Sequence, residues 1–274
     1  MTYKHLIVHV DSGERAAERV DLAVALALRM GARLTGLFAE VASVGASIVG
    51  RRNPERLARA MAEARAAFEA RTGAAGVASA WWALDPGEPG EVTGLAAVCC
   101  RYADLAVVGQ HDGDELVPPD LVTEIVLGSG RPALVVPSSG HHVDTGKHVV
   151  VAWNGSREAA RALNDAIPLM EGAESVLVLA LLEPSSAPTR MPPLDVLAQL
   201  RAHGLAATYE RVTPGDVPGA DGAGVLDAVL NRVFDSGADL LVMGFGPHGR
   251  SLLGRTRSSQ AVLRSMLTPV LLSA

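Results

Sequence analysis

Apolar residues recur at i, i+3, i+4, i+7 and i+8 through Val20, Ala23, Val24, Ala27 and Leu28, and again through Leu226, Val229, Leu230, Val233 and Phe234. This is the stripe of a helix with one buried face. Leu57, Met61, Ala64 and Phe68 predict a third such helix, and Leu95, Val98, Cys99 and Tyr102 a fourth. Between the helices lie short continuous apolar runs at 105–108, 133–136, 176–182 and 240–243, with no in-out alternation. Such runs suit strands covered on both faces. Strands alternating with helices predict right-handed βαβ units and a parallel sheet.

The pattern occurs twice. Lys4-His5-Leu6-Ile7-Val8-His9-Val10-Asp11 aligns with Lys147-His148-Val149-Val150-Val151-Ala152-Trp153-Asn154, and the match continues ungapped through Glu14-Arg15-Ala16-Ala17 against Arg157-Glu158-Ala159-Ala160. Further on, Ala103-Asp104-Leu105-Ala106-Val107-Val108-Gly109 matches Ala238-Asp239-Leu240-Leu241-Val242-Met243-Gly244, and Arg131-Pro132-Ala133-Leu134-Val135 matches Thr268-Pro269-Val270-Leu271-Leu272. Four blocks in one order, at a period longer than solenoid repeats, predict two copies of a whole domain. The expected fold class is α/β, two doubly wound domains over 1–140 and 146–274, each with a five-stranded parallel sheet and about four helices. The polar stretch 137–146 is the expected joint. Two Pro- and Gly-rich segments, 183–193 and 213–224, are read as loops, the second after the third strand of the second half; loops at a sheet edge often cover a site.

Composition narrows the partners. Over 274 residues, 49% are hydrophobic and 20% charged, which excludes whole-chain disorder, and the net charge of −6 argues against a nucleic-acid partner. No apolar stretch approaches the roughly 18 residues that span a bilayer, and the first apolar run is too short for a signal-peptide core. A cytoplasmic protein without a membrane partner is expected. The adjacent Cys99 and Cys100 form neither a disulfide framework nor a metal-ligand spacing. Cys99 is expected in the core and Cys100 half exposed. His141, His142 and His148 lie in or beside the joint and are read as solvated, so no metal is required. Trp81 and Trp82 are expected to alternate across a strand.

In open α/β sheets, ligands bind at the carboxyl ends of the strands where strand order reverses. In the second half that place is marked by Asn154 and by the loop Gly244-Phe245-Gly246-Pro247-His248-Gly249-Arg250-Ser251, ahead of a helix beginning near Ser258 or Ser259. Glycines allow close backbone approach, amides at a helix N-terminus attract an anion, and Arg250, Arg255 and Arg257 offer charge-assisted contacts. These residues, with the duplication, make the chain resemble a tandem universal stress protein, of adenine nucleotide alpha hydrolase-like fold, over essentially its whole length. Nucleotide-binding members carry an Asp at the end of strand one, then Gly-x-x-Gly, nine residues, and Gly-Ser or Gly-Thr around the phosphates. Here the first position is Asp11 in one half and Asn154 in the other, and the Gly-x-x-Gly step is Gly246-Pro-His-Gly249. Beyond it the match degrades. Thr256-Arg257 stands where the family has Gly-Ser, after six residues, with Ser258 or Ser259 as substitute hydroxyl donors. The first half has Gly109-Gln110-His111-Asp112-Gly113-Asp114-Glu115, with no Gly-x-x-Gly and three acids that repel phosphate.

The resemblance implies a stress-response protein that holds ATP or AMP in its second half through Asn154, Gly244, Gly246, Gly249, Arg250, Ser258 and Ser259. It also implies an internal domain–domain pseudo-dimer, with further homodimerisation and a protein partner left open. Against each sharp reading stands a plain one: the glycines make a tight connection, and Asn154 makes the strand-to-helix turn. Gly140 to Lys147 is one residue too long for a phosphate loop and precedes a strand. There is no Gly-x-Ser-x-Gly elbow and no His-Glu-x-x-His, so an enzyme is not expected, slow ATP hydrolysis aside. The alternatives are an interaction scaffold without nucleotide, or a binder of another small ligand in the strand-end cleft.

Overall fold

The computed structural model describes residues 2–41, 54–85, 89–113, 116–181, 195–212, 222–246 and 257–274. The chain divides into two compact units, Met1–Asp144 and Thr145–Ala274. Unit 1 runs β1 (His5–Val10), α1 (Ala16–Met30), β2 (Arg33–Phe38), α2 (Pro54–Ala75), β3 (Ser79–Ala83), α3 (Pro89–Cys100), β4 (Leu105–Gly109), α4 (Leu121–Ser129) and β5 (Ala133–Val136). Its strands lie in the order β3-β2-β1-β4-β5, all parallel. Unit 2 runs β6 (His148–Trp153), α5 (Arg157–Ala166), a 3-10 turn (Ile167–Leu169), β7 (Ser175–Leu181), α6 (Val196–Ala202), β8 (Ala207–Val212), α7 (Gly222–Asp235), β9 (Leu240–Gly244), α8 (Arg257–Ser265) and β10 (Val270–Ser273). Its order is β8-β7-β6-β9-β10, again parallel. These are the two doubly wound five-stranded sheets that the repeat predicts.

The aligned blocks coincide with equivalent strands. In one unit Leu6 pairs with Leu105 and in the other Val149 pairs with Leu240, the same register under the alignment. The repeated Ala-Asp-Leu has a structural task. Asp104 accepts the backbone N–H of Lys4 and His5, and Asp239 accepts those of Gly146, Lys147 and His148. Each aspartate thus ties the start of its unit's first strand to the strand beside it, satisfying amides that have no ladder partner.

Central strands are mostly apolar because helices cover both faces, and the buried His5 and His9 of β1 are hydrogen-bonded, to Thr35 and the Tyr102 carbonyl and to the Ala39 carbonyl. All six residues of β1 are buried, as are Leu105–Val108 of β4, and each large aliphatic side chain so buried contributes about 1.5–3 kcal/mol. α1 ends at Gly31, whose φ of 59° lets its N–H reach back to Ala27 and Leu28. On β3, Trp81 packs on Phe38 and Phe68 while Trp82 meets His5 edge-on, so the pair does alternate across the strand. Gly36 makes this possible, since a Cβ there would press 2.8 Å from the Trp81 ring.

Two helix faces differ from expectation. On α3 the buried residues are Val92, Thr93, Ala96, Ala97 and Cys100, while Leu95 and Val98 are exposed, as is Tyr102, which lies past the helix end and is 72% exposed. The helix is apolar nearly all round, so periodicity does not choose its face. Closeness does: a Cβ on Gly128 of α4 would stand 3.2 Å from that of Ala97, and only small side chains admit such an approach. Consequently Cys100 is the buried thiol and Cys99 the half-exposed one, the reverse of the sequence expectation. Burial pushes Cys100 up to about 12, which leaves it an inert thiol. On α7, Val229 and Val233 are buried but Phe234, in the last turn before the positive-φ Gly237, is 79% exposed.

Candidate functional site at the strand ends

In each unit the strand order reverses beside the first strand, between β1 and β4 in unit 1 and between β6 and β9 in unit 2. Asp11 and Asn154 occupy the same place at the end of that strand and make the same turn. Asp11 Oδ1 accepts the Gly13 N–H at 2.9 Å, and Asn154 Oδ1 accepts the Ser156 N–H at 3.0 Å. The turn residue is therefore common to both units, and what surrounds it is not.

In unit 1 the crevice is filled by side chains. Arg19, on the buried face of α1, donates from Nη2 to Asp11 Oδ2 at 2.5 Å and from Nε to the His9 carbonyl at 2.7 Å, and both charged residues are under one-tenth exposed. His9 places Nδ1 3.5 Å from Asp11 and Nε2 3.0 Å from the Ala39 carbonyl. Burial pushes the Asp11 carboxyl up, but Arg19, His9 and the Gly13 amide outweigh it and hold the group below its ordinary value. The guanidinium lies so close over Gly109 that a Cβ there would collide with it. Beside it, Glu40 accepts both the Ser12 N–H and its hydroxyl. Between His9, Asp11, Arg15, Arg19, Gln110 and Ser138 a cleft of about 30 Å³ is left. That is room for about two water molecules, whereas a second cavity of about 250 Å³ lies between α1 and α2, lined by Asp11, Gly13, Val20, Glu63, Phe68 and Arg71 among others.

In unit 2 the residue equivalent to Arg19 is Ala162, fully buried in α5. Ser156 caps α5, its Oγ accepting the Ala159 N–H at 3.1 Å. Gly244 ends β9 directly under this first turn, where a Cβ would stand 2.5 Å from the Ala159 nitrogen. Glycine is required there for backbone approach. Gly246 is less confined, since a Cβ would lie 3.6 and 3.7 Å from Glu158 Cγ and Cδ, ordinary contact. Glu158 Oε1 accepts from Arg157 Nε at 2.5 Å, and chiefly that bond keeps its carboxyl below the usual range.

Of the residues read from the sequence, Asn154, Gly244 and Gly246 gather around the first turn of α5. Gly249 and Arg250 lie outside the described residues, as do segment 183–193 and all but the last three residues of 213–224. Ser258 and Ser259 fall in the opening turn of α8, where the backbone alone is described. Sequence reasoning missed Arg19, His9, Glu40 and Glu158. For Arg19 a signal existed: it is the one charged residue on the buried stripe of α1, opposite an alanine in the repeat. Among the described residues, no group of three or more His, Cys, Asp or Glu is placed to hold a metal ion, and no helix is long and apolar enough to cross a membrane.

A universal stress protein from Archaeoglobus fulgidus DSM 4304 overlays 98% of this chain with 95% of its own, at a TM-score of 0.68 and 16% identity. The fold is that of a tandem universal stress protein. A protein of unknown function from Pseudomonas aeruginosa PAO1 covers 99% of this chain with 92% of its own, at a TM-score of 0.58 and 14% identity. A candidate universal stress protein from Pseudomonas aeruginosa UCBPP-PA14 matches equally, over 99% and 93%. No protein-family model and no curated protein matches the sequence. At these identities the likeness is one of fold, and the tandem universal stress protein fold is what it establishes. Within that fold the two strand-end crevices of this chain hold different chemistry.

Proposed function

We propose that the chain is a stress-response protein in which unit 2 alone binds an adenine-bearing ligand, at the ends of β6 and β9, while in unit 1 the Arg19 side chain occupies the crevice between β1 and β4. The observation that carries this reading is the exchange of the buried Asp11–Arg19 pair for Asn154 and Ala162. It removes both the charge and the bulk that fill the crevice of unit 1. Asn154, standing where nucleotide-binding universal stress proteins carry Asp, lies beside the base or ribose, and Gly246 leaves the backbone open. The outcome of binding is recruitment of a protein partner and not catalysis. Calorimetric titration of the purified chain with adenosine, AMP and ATP tests this. One site per chain, lost in Gly246→Val, is expected; two sites, or none at millimolar ligand, overturns it.

A second reading, an interaction module without small ligand, is favoured by the Glu158 carboxylate beside Gly246. It survives if no adenine compound binds.

A further inference from the structure

We infer that unit 1 carries a binding site of its own, between α1 and α2, for a small primary amine whose apolar body is about the size of one aromatic ring. The cavity there has a volume of about 250 Å³, and the residues that line it belong to the end of β1, the turn after it, α1 and α2. A dry cavity of about 150 Å³ is enough for benzene, so a ring with a short chain fits. Alanine leaves the space open. Ala16 and Ala17 line it from α1, and Ala60, Ala64 and Ala67 from α2, methyl groups that do not reach across to one another. Val10, Val20 and Phe68 add larger apolar walls, all three buried. Small-molecule sites are of this kind, mostly apolar with a few placed polar groups. The long wall is particular to unit 1, because α2 spans 22 residues whereas α6, its counterpart in unit 2, spans seven.

The two ends of the cavity differ in charge. β1, β2 and β3 are parallel, so α1 and α2 run the same way, which sets Arg71 by Val20 and Glu63 nearer Ser12 and Gly13. One end is shut by an ion pair: Arg71 Nε donates to Asp21 at 2.9 Å, and its Nη1 to the Ala67 carbonyl at 3.2 Å. At the other end the side chains present acceptors. The Ser12 hydroxyl spends its proton on Glu40 and keeps its lone pairs, while the Ser12 and Gly13 amides are taken by Glu40 and Asp11. Asp11 is answered by Arg19, but Glu63 is exposed and makes no ion pair among the described residues. Glu18, in the first turn of α1, and Glu40 offset the dipole of that helix, which would otherwise favour an anion. An ammonium group on Glu63 and Ser12, with its ring among Val20, Phe68 and the alanines, meets each lining group with its complement.

The test titrates three probes of one size, 2-phenylethylamine, 2-phenylethanol and phenylacetate, into the full-length chain by calorimetry. An exposed charge pair at about 4 Å changes affinity on the order of tenfold. The amine should therefore bind about tenfold more tightly than the alcohol, and phenylacetate more weakly than either. Glu63→Gln should shrink the lead of the amine over the alcohol to about twofold. Ala64→Leu fills the cavity and should abolish binding of all three without lowering the thermal unfolding midpoint; if that variant does not fold, Glu63→Gln decides alone. Equal binding of the three probes, a preference for phenylacetate, or a lead for the amine that survives Glu63→Gln overturns the inference. So does binding that Ala64→Leu leaves intact, or no binding at millimolar probe. Adenosine added to the amine complex should leave the amine in place; displacement would make this cavity the adenine site and overturn both this inference and the placing of that site in unit 2.

Discussion

Asp11 with Arg19, and Asn154 with Ala162, occupy matching positions on matching elements, yet the first two form a buried ion pair and the second two are a turn-forming amide and a buried alanine. The turn that both strand-end residues make is independent of their charge, so the two units share this backbone and differ in the side chains around it. The charged pair is the costlier arrangement, because two ions leave water and recover the loss only through each other. Arg19→Ala leaves Asp11 buried and unpaired, and should lower the stability of unit 1 by about 3–5 kcal/mol. Asp11→Asn with Arg19→Ala copies the unit 2 pair and should recover most of that loss, read from urea unfolding of the full chain resolved into its transitions. If the double variant is no more stable than Arg19→Ala, the pair is not a self-contained plug and the comparison fails.

The glycines opposite these pairs sharpen it. Gly244→Ala pushes a Cβ into backbone of α5, which no neighbour can yield by rotating, and should cost about 1–3 kcal/mol whatever else is mutated. Gly109→Ala meets only the end of the Arg19 side chain. Its cost should therefore vanish in an Arg19→Ala background, a coupling that a double-mutant cycle measures.

Acid should act unequally on the two crevices. Asp11 is held below its ordinary 3.8 when folded, burial opposing and Arg19, His9 and the Gly13 amide prevailing. A depressed folded value means the contribution is fully present above the unfolded value and is lost as pH falls through the folded one. Unfolding midpoints taken from pH 6 downward should thus fall for unit 1 below about pH 4, and Asp11→Asn should flatten that limb. Asn154 has no proton to gain, so Asn154→Ala should leave the acid limb unchanged.

Much of this was legible in the chain. The strands β1 and β6, β4 and β9, β5 and β10 follow from the repeat, because strands covered on both faces are predominantly apolar and align without gaps. Asn154 was legible as a turn former from its place at a strand end ahead of Gly155-Ser156. The face of α3 was not, since a helix apolar all round leaves the choice to neighbours, and the Ala97–Gly128 approach is a tertiary fact. Nor was the plug. Periodicity treats an arginine in an apolar stripe as noise, and only the aligned alanine marks it as a buried partner. The three acids after β4 predict repulsion of phosphate from unit 1; Asp114 and Glu115 lie outside the described residues, and the guanidinium in the crevice was not legible beside them.

The smallest difference lies at the helix starts. α5 opens at Arg157 with Ser156 as a bonded cap, whereas α1 opens later, at Ala16, after Arg15, which makes no side-chain cap bond. The alignment sets Ser156 against Gly13, whose carbonyl already receives the Ala16 amide at 3.1 Å. Ser156→Ala should therefore cost about 1 kcal/mol. Gly13→Ser offers a hydroxyl to that same Ala16 amide and should return a few tenths of a kcal/mol to unit 1, a serine cap improving only slightly on glycine. Thermal unfolding of the two variants decides it. An equal loss in both would mean that α1 begins where it does because Arg15 is needed outside the helix, reaching the Gly140 carbonyl, and that the two starts differ for the sake of the joint and not of the cap.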